Sequence, residues 1–203
     1  MEREVTAIIL AGGRATRLGG VNKALLEVGG RTIIDRVVDS LRPVAGQIIL
    51  VGHLSESAHL PGVEVLQDAV PGAGTLTALH TGMTAARHQV CVAVGCDMPF
   101  LNSALLEKLA GLSEGYDLAV PRIGPHLEAL HAAYRLTCIP TIEIAIRERQ
   151  LKIIDFYKRV NTREVPESYL RTLDPDLRSF LNVNTAEDLA RARDLAGEPR
   201  AAT

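Results

Sequence analysis

At 203 residues the chain is long enough for one domain with a sizeable core and short for two, and with 47% hydrophobic but only 3% aromatic residues that core must be built from Ala, Leu, Ile and Val. A formal charge of −2 removes the broad basic footprint of a nucleic-acid binder, and no apolar run reaches the roughly 18 residues of a membrane span. Met1-Glu2-Arg3-Glu4 lacks a signal-peptide pattern, and three cysteines with no Cys-x-x-Cys argue against a disulfide framework or zinc clamp; the expectation is a cytoplasmic chain without membrane or nucleic-acid partners, most of Cys91, Cys96 and Cys138 being buried free thiols.

Val5 to Leu10 has the length and branching of a buried strand. It stops at Gly12-Gly13, and the cations Arg14, Arg17 and Lys23 follow, with Gly19-Gly20 between the last two. Glycines at a strand end let backbone N–H groups turn toward an anion, and the cations neutralise what the backbone grips, so the stretch suits a polyphosphate. No Gly-Lys-Ser/Thr triplet completes a Walker motif, and glycines at 12, 13, 19 and 20 do not match the dinucleotide-binding spacing.

Ala24 to Val28 reads as an extended segment closed by Gly29-Gly30. Thr32 can cap a helix to about Leu41, with Ile33, Ile34, Val37, Val38 and Leu41 in helical period; Gln47 to Val51 and Val63 to Leu66 are strands. The loop from Gln67 to Thr75 places Asp68 directly after a strand, where ligands bind in open α/β sheets, and leads into a helix from about Leu76 to Arg87. Strands alternating with helices predict a parallel sheet.

Val90 to Gly95 is the continuous apolar run of a strand covered on both faces, and it delivers Cys96-Asp97-Met98-Pro99. Asp97, at that strand's C-terminal end, is placed to hold Mg²⁺ against substrate phosphates, since this ion takes one or two carboxylates plus phosphate oxygens. A helix over Ser103 to Leu112 follows, then strands over Leu118 to Pro121 and Leu127 to Tyr134. His126 and His131 lack a metal-ligand spacing and read as ordinary loop and strand histidines.

Ile139 to Gln150 reads as a helix with Pro140 in its first turn, and Ile153 to Val160 as a second helical run; Arg147, Arg149, Lys152, Lys158 and Arg159 make a basic face. Thr162 to Pro166 is a late strand and the stretch to Arg178 irregular. Asn182 and Asn184 alternate on one side of an extended segment, then Thr185 and Asp188 form a near capping box for a helix to about Leu195. The expected organisation is a single domain over 1–195 with a frayed tail over 196–203.

Three separated stretches resemble one family. Leu10-Ala11-Gly12-Gly13 with Arg17, Gly19 and Lys23 looks like the LAGG-x₃-R-x-G-x₃-K signature of nucleotidyltransferases; Cys96-Asp97-Met98-Pro99 looks like the metal-binding Cys-Asp-x-Pro motif; and Asn182 to Leu189 looks like the C-terminal signature Asn-Val-Asn-Thr-x-Glu-Asp-Leu. The likeness runs from Leu10 to Leu189 and is greatest to the molybdenum cofactor guanylyltransferases, which join GMP to molybdopterin. It implies a Rossmann-like three-layer α/β sandwich of the nucleotide-diphospho-sugar transferase type, with a mostly parallel central sheet and helices on both faces.

The resemblance also implies roles. Leu10, Ala11, Gly12 and Gly13 would grip GTP, Arg17 and Lys23 balance the triphosphate, Asp68 contact the guanine nucleotide and Asp97 carry Mg²⁺. Asn182, Asn184, Arg149 and Lys152 would face the pterin, and His126 and His131 lie along that second substrate's side of the cleft. GTP and molybdenum cofactor or molybdopterin are the implied partners, with transient contacts to cofactor-donating or cofactor-receiving proteins. The chain departs from the family at Val51, where Asn is usual, and at Gly74-Thr75-Leu76-Thr77-Ala78, where Gly-Pro-Leu-x-Gly is usual. The rival readings are a nucleotidyltransferase using CTP or a sugar 1-phosphate, and a non-catalytic nucleotide-binding protein.

Overall fold

The uninterrupted apolar runs of the sequence lie side by side in the middle of one sheet. The computed structural model describes residues 4–11, 17–18, 21–52, 60–67 and 74–197. In chain order its elements are β1 (Val5–Ala11), β2 (Arg17–Leu18), β3 (Val21–Asn22), β4 (Glu27–Val28), β5 (Arg31–Thr32), α1 (Ile33–Leu41), β6 (Gln47–Gly52), β7 (Val63–Leu66), α2 (Thr75–Thr84), β8 (Val90–Gly95) and α3 (Ser103–Leu112). They continue with β9 (Leu118–Ile123), β10 (His126–Leu127), β11 (His131–Arg135), α4 (Ile139–Arg147), β12 (Thr162–Pro166), α5 (Glu167–Leu173) and α6 (Ala186–Leu195).

Among the described residues the main sheet has eight strands in the order β10-β9-β11-β8-β1-β6-β7, with β12 beside β9. The pairs β6–β7, β1–β6, β1–β8 and β9–β12 are parallel, whereas β11 runs antiparallel to both β8 and β9. Helices cover both faces. Ala7, Ile9 and Ala11 of β1 join α1, α3, α5 and α6 on one side; Ile8 and Leu10 join α2 and α4 on the other. Full burial on both sides explains why β1 and β8 read as unbroken apolar runs, and each buried Ile or Leu contributes about 1.5–3 kcal/mol.

Several local readings hold. Thr32 caps α1 through Asp35 N–H, and Thr185 with Asp188 completes a reciprocal capping box on α6. All three cysteines are free and buried, with burial pushing each thiol up to about 12. No helix among the described residues is long and apolar enough to cross a membrane.

Other readings are corrected. Ala24 to Val28 is not extended throughout: Lys23–Leu25 is a 3-10 turn because the Asn22 side chain accepts from Ala24 N–H at 3.1 Å, and the extended part, β4, pairs with β5 as a hairpin. Leu127 to Tyr134 is two strands: Glu128 N–H donates to the Pro121 carbonyl, ending the β9–β10 hairpin, and the chain then re-enters between β9 and β8 as β11. The helix expected over Ile153 to Val160 shrinks to a 3-10 turn, Phe156–Arg159, whose consecutive aromatics Phe156 and Tyr157 are both buried against Tyr134. The stretch after Pro166, read as irregular, begins with α5, held by buried Leu170 and an Arg171–Glu167 pair one turn apart. Likewise α4 stops at Arg147 and α2 at Thr84, short of the expected Gln150 and Arg87; Arg149 adopts φ 58°, incompatible with continuing the helix.

Candidate active site

One edge of the sheet collects the chemistry. The ends of β1, β6 and β8 lie there, and so does the start of β11, because that strand runs the opposite way and pairs His131 with Val94. Leu10 is opposite Gly95, and Cys96 N–H donates to the Leu10 carbonyl at 3.3 Å. Ala11 and Asp97 therefore leave the sheet side by side. Loops at the carboxyl ends of parallel strands, next to a central strand, are where α/β sheets bind ligands.

Two glycines make that edge possible. Gly52 ends β6 at φ 131°, and a Cβ there would stand 2.1 Å from the Ala11 carbonyl oxygen. At Gly95 a Cβ would stand 2.7 Å from Asp97 Oδ1, so the absent side chain leaves the space into which the Asp97 carboxylate folds back. Neither was singled out from sequence. The signal was a glycine closing each apolar run, at Val51-Gly52 and Val94-Gly95.

Lys23, 5% exposed, is carried to this edge by the 3-10 turn that Asn22 caps, and its Nζ donates to Asn184 Oδ1 at 2.9 Å. Asn184 is held in turn: Val183 N–H donates to the Asp97 carbonyl at 2.9 Å, and Asp188 accepts from Asn184 N–H and Thr185 N–H at 2.9 and 2.8 Å. Those two N–H donors keep the Asp188 carboxyl below its ordinary range. Burial raises the Asp97 carboxyl, and its own backbone N–H and the Lys23 ammonium pull the other way. Residues 23, 97 and 184, far apart in sequence, thus form one cluster of cation, carboxylate and amide.

The remaining candidates fall as follows. Leu10 and Ala11 are buried at the end of β1, and Arg17 pairs through its backbone with Asn22, next to Lys23. Gly12, Gly13, Arg14 and Asp68 lie outside the described residues. Asn182 turns its amide back onto the Phe180 carbonyl at 3.3 Å, and its place beside Asn184 follows from the extended segment both occupy. Arg149 and Lys152 are exposed beyond α4, over the opposite face of the sheet from Asn184, and no hydrogen bond among the described residues links them to it. His131 is fully buried and neutral, its pKa lowered to about 3 by burial. His126 is exposed in β10, and the half-buried Glu128 carboxyl near it is raised by burial. Val51 is wholly buried, and α2 begins after Gly74 with Thr77 Oγ1 donating to the Gly74 carbonyl at 2.8 Å.

A cation beside a single carboxylate at strand ends can neutralise phosphate oxygens. It offers no nucleophile: the Cys96 thiol next to Asp97 is held protonated by burial and by the Asp97 charge, up to about 12. Among the described residues no group of three His, Cys, Asp or Glu is gathered that could hold a metal ion by protein ligands alone. That donor set fits an ion such as Mg²⁺, which keeps water and substrate phosphates in its shell, and does not fit a structural zinc.

The model of the MobA-like NTP transferase domain family matches residues 7–161. The chain is 42% identical over 197 residues to a protein of Pelotomaculum thermopropionicum named "Probable molybdenum cofactor guanylyltransferase", covering 97% of this chain and 96% of that one. It is 35% identical over 189 residues to the molybdenum cofactor guanylyltransferase of Desulfosudis oleivorans, covering 93% and 94%. Among solved structures, molybdopterin-guanine dinucleotide biosynthesis protein A from Archaeoglobus fulgidus superposes with a TM-score of 0.81 at 28% identity, covering 95% of this chain and 98% of that one. The 2-C-methyl-D-erythritol 4-phosphate cytidylyltransferase of Thermus thermophilus, at 19% identity and a TM-score of 0.72 over 96% of this chain and 99% of that one, shares the fold. With its mostly parallel sheet, its strand-end cluster of Lys23, Asp97 and Asn184, and relatives matched over almost their whole length, the chain belongs to the MobA-like nucleotidyltransferases.

Proposed function

We propose that the chain, acting as one nucleotidyltransferase domain over residues 1–195, transfers GMP from GTP to molybdenum cofactor or molybdopterin and releases pyrophosphate. The observation that carries this reading is the convergence of Lys23, Asp97 and Asn184 at the edge where β1 and β8 end. The terminal phosphate of the acceptor attacks the α-phosphorus of GTP; a new P–O bond forms, the bond to the bridging α–β oxygen breaks, and pyrophosphate leaves with that electron pair. A phosphate monoester has a second pKa of about 6 and is mostly ionised near neutrality, so the step requires no general base.

What this chain supplies is alignment and charge. Lys23 and Arg17 balance the triphosphate; the turn from Leu10 to Gly13, with Asp68, binds the nucleotide. Asp97 would hold Mg²⁺, which neutralises phosphate oxygens when bound. Asn182 and Asn184 orient the acceptor, whose far end would have to pass round the sheet edge to meet Arg149 and Lys152 beyond α4. Proteins that deliver or receive the cofactor are proposed as transient partners, in the cytoplasm.

The test is pyrophosphate release with purified molybdopterin and each of GTP, CTP, ATP and UTP. Release with GTP well above the other three, lost in Lys23→Ala, supports the reading. Preference for CTP, or GTP binding with no release, overturns it in favour of the pyrimidine or non-catalytic alternative.

A further inference from the structure

The two charges of the candidate site are built on separate stretches of chain. Lys23 belongs to the unit 23–33, in which Leu26 N–H closes onto the Lys23 carbonyl at 3.1 Å, β4 pairs with β5, and Ile33 N–H returns to the Leu26 carbonyl at 2.9 Å. Asp97 belongs to the bend after β8, where Gly95 N–H donates to Met98 Sδ at 3.3 Å and Pro99 fixes the backbone. On the site side the stretches are tied through residues 183 and 184: Val183 N–H holds the Asp97 carbonyl and Asn184 holds Lys23. A second tie lies behind the site.

Arg36 of α1 is half-buried; its Nε donates to the Pro99 carbonyl at 3.0 Å and its Nη1 to the Val28 carbonyl at 3.2 Å. One guanidinium thus bridges the bend that carries Asp97 and the unit that carries Lys23. Its carbon stands 5.3 Å from the centroid of the Phe100 ring, a favourable cation–π contact. The other neighbour is equally close: a Cβ on Gly29, at φ 64°, would stand 3.0 Å from Arg36 Nη1, so the glycine turn leaves room for the fork.

The base of the bridge is firm. Thr32 caps α1, and Ile33, Ile34, Val37 and Val38, on both sides of Arg36 in sequence, are buried in the core. Arginine presents several donors in a rigid planar fork, so two carbonyls on different stretches are met at once and their spacing is fixed. A lysine ammonium is a single point on a flexible stem and cannot set that spacing.

We propose that Arg36 is a positioning residue for the transfer: by bridging Pro99 and Val28 it holds the Asp97 bend in place against the Lys23 unit, so that carboxylate and ammonium meet one triphosphate together. It touches neither substrate nor reacting atoms. Its effect on rate comes through the placement of those two groups, where a displacement far smaller than a side chain is costly. The inference rests on the roles of Lys23 and Asp97 given under the proposed function, and is independent of the base and of the acceptor.

The test uses the full-length protein at saturating Mg²⁺. In Arg36→Ala, kcat for GMP transfer is expected to fall about tenfold with KM for GTP and for molybdopterin unchanged within twofold, the mark of misplaced charges and not of lost binding. Arg36→Lys, which keeps the charge and loses the fork, shares that fall. Arg36 and Phe100 line an open cleft of about 490 Å³, so methylguanidine can reach the vacated place; it restores kcat of Arg36→Ala several-fold and leaves Arg36→Lys unchanged. Arg42→Ala, on the same helix but bonded to the Pro61 carbonyl ahead of β7, leaves kcat unchanged. Two readouts need no turnover: Mn²⁺ binding to the GTP complex, followed by electron paramagnetic resonance, weakens several-fold in Arg36→Ala, and in the wild-type protein the Arg36 Nε–H exchanges with water more slowly than that of exposed Arg147. Unchanged kcat and Mn²⁺ affinity in folded Arg36→Ala, full activity in Arg36→Lys, no response to methylguanidine, or an Arg36 Nε–H that exchanges as fast as that of Arg147 overturns the proposal. A wild-type protein that transfers no GMP, with Mn²⁺ affinity still lowered by Arg36→Ala, overturns the functional reading and leaves this one standing.

Discussion

The two halves of the sheet solve different problems. In β6, β1 and β8 the strands are all parallel, both faces are covered, and the candidate groups sit on the loops at strand ends, fixed by backbone approaches as close as Gly52 to Ala11. From β11 outward the sheet is mixed, and what borders the candidate site there is the start of β11 and the segment Leu177 to Asn184 laid across the edge. Polyphosphate is the same in every nucleoside triphosphate and suits a rigid cradle. An acceptor that differs from enzyme to enzyme suits adjustable side chains on a separate support.

The strongest test of the rigid half is Asp97→Asn. Losing the carboxylate should lower kcat by roughly 10²–10³, as removal of a preorganised charge-stabilising group does. The same substitution should raise Tm. Burial lifts the folded-state pKa of Asp97 above its ordinary 3.8, so the native state binds the proton more tightly than the unfolded chain; stability from this group is present at low pH and lost as pH rises through the folded value. The Tm gain should therefore shrink as pH falls through that raised value and be gone below about 3.8, with wild-type turnover falling over the same range. A variant that is both inactive and less stable at pH 7 would break the comparison.

Gly52→Ala should cost about 2–4 kcal/mol, since its Cβ would overlap the Ala11 carbonyl at a φ of 131°; urea denaturation should show a lower midpoint at unchanged m. Gly95→Ala places a methyl 2.7 Å from Asp97 Oδ1 and should reduce kcat by about tenfold by displacing that carboxylate, with KM for GTP nearly unchanged. On the adjustable side, Thr185→Ala removes half of the α6 capping box and should cost about 1 kcal/mol, or roughly 2–4 °C in Tm for a chain of this size. If Thr185→Ala harmed turnover as much as Gly95→Ala, the distinction between the halves would be lost.

The same division decided what could be read from the residues alone. Val5 to Leu10 and Val90 to Gly95 are buried on both faces, so their apolar runs announce strand, position and edge together, and the acid after the second run marks the candidate site. Thr185 and Asp188 announce a helix start because capping is local. The mixed half resisted because its structure is set by distant partners: β10 and β11 separate where Glu128 N–H meets Pro121 O, and Phe156 with Tyr157 follow the buried Tyr134 instead of a helical period. Asn184 looked like an acceptor residue, and its bond to Lys23, across 161 positions, has no local signature. His131 looked ordinary because its lack of a hydrogen-bond partner among the described residues has no signature in sequence.

The hydrogen bond from Lys23 Nζ to Asn184 Oδ1 ties together two segments 161 positions apart, so where the ammonium stands beside Asp97 is decided by the stretch that leads into α6. A change at Asn184 is therefore felt at residue 23, where the sequence itself is unaltered.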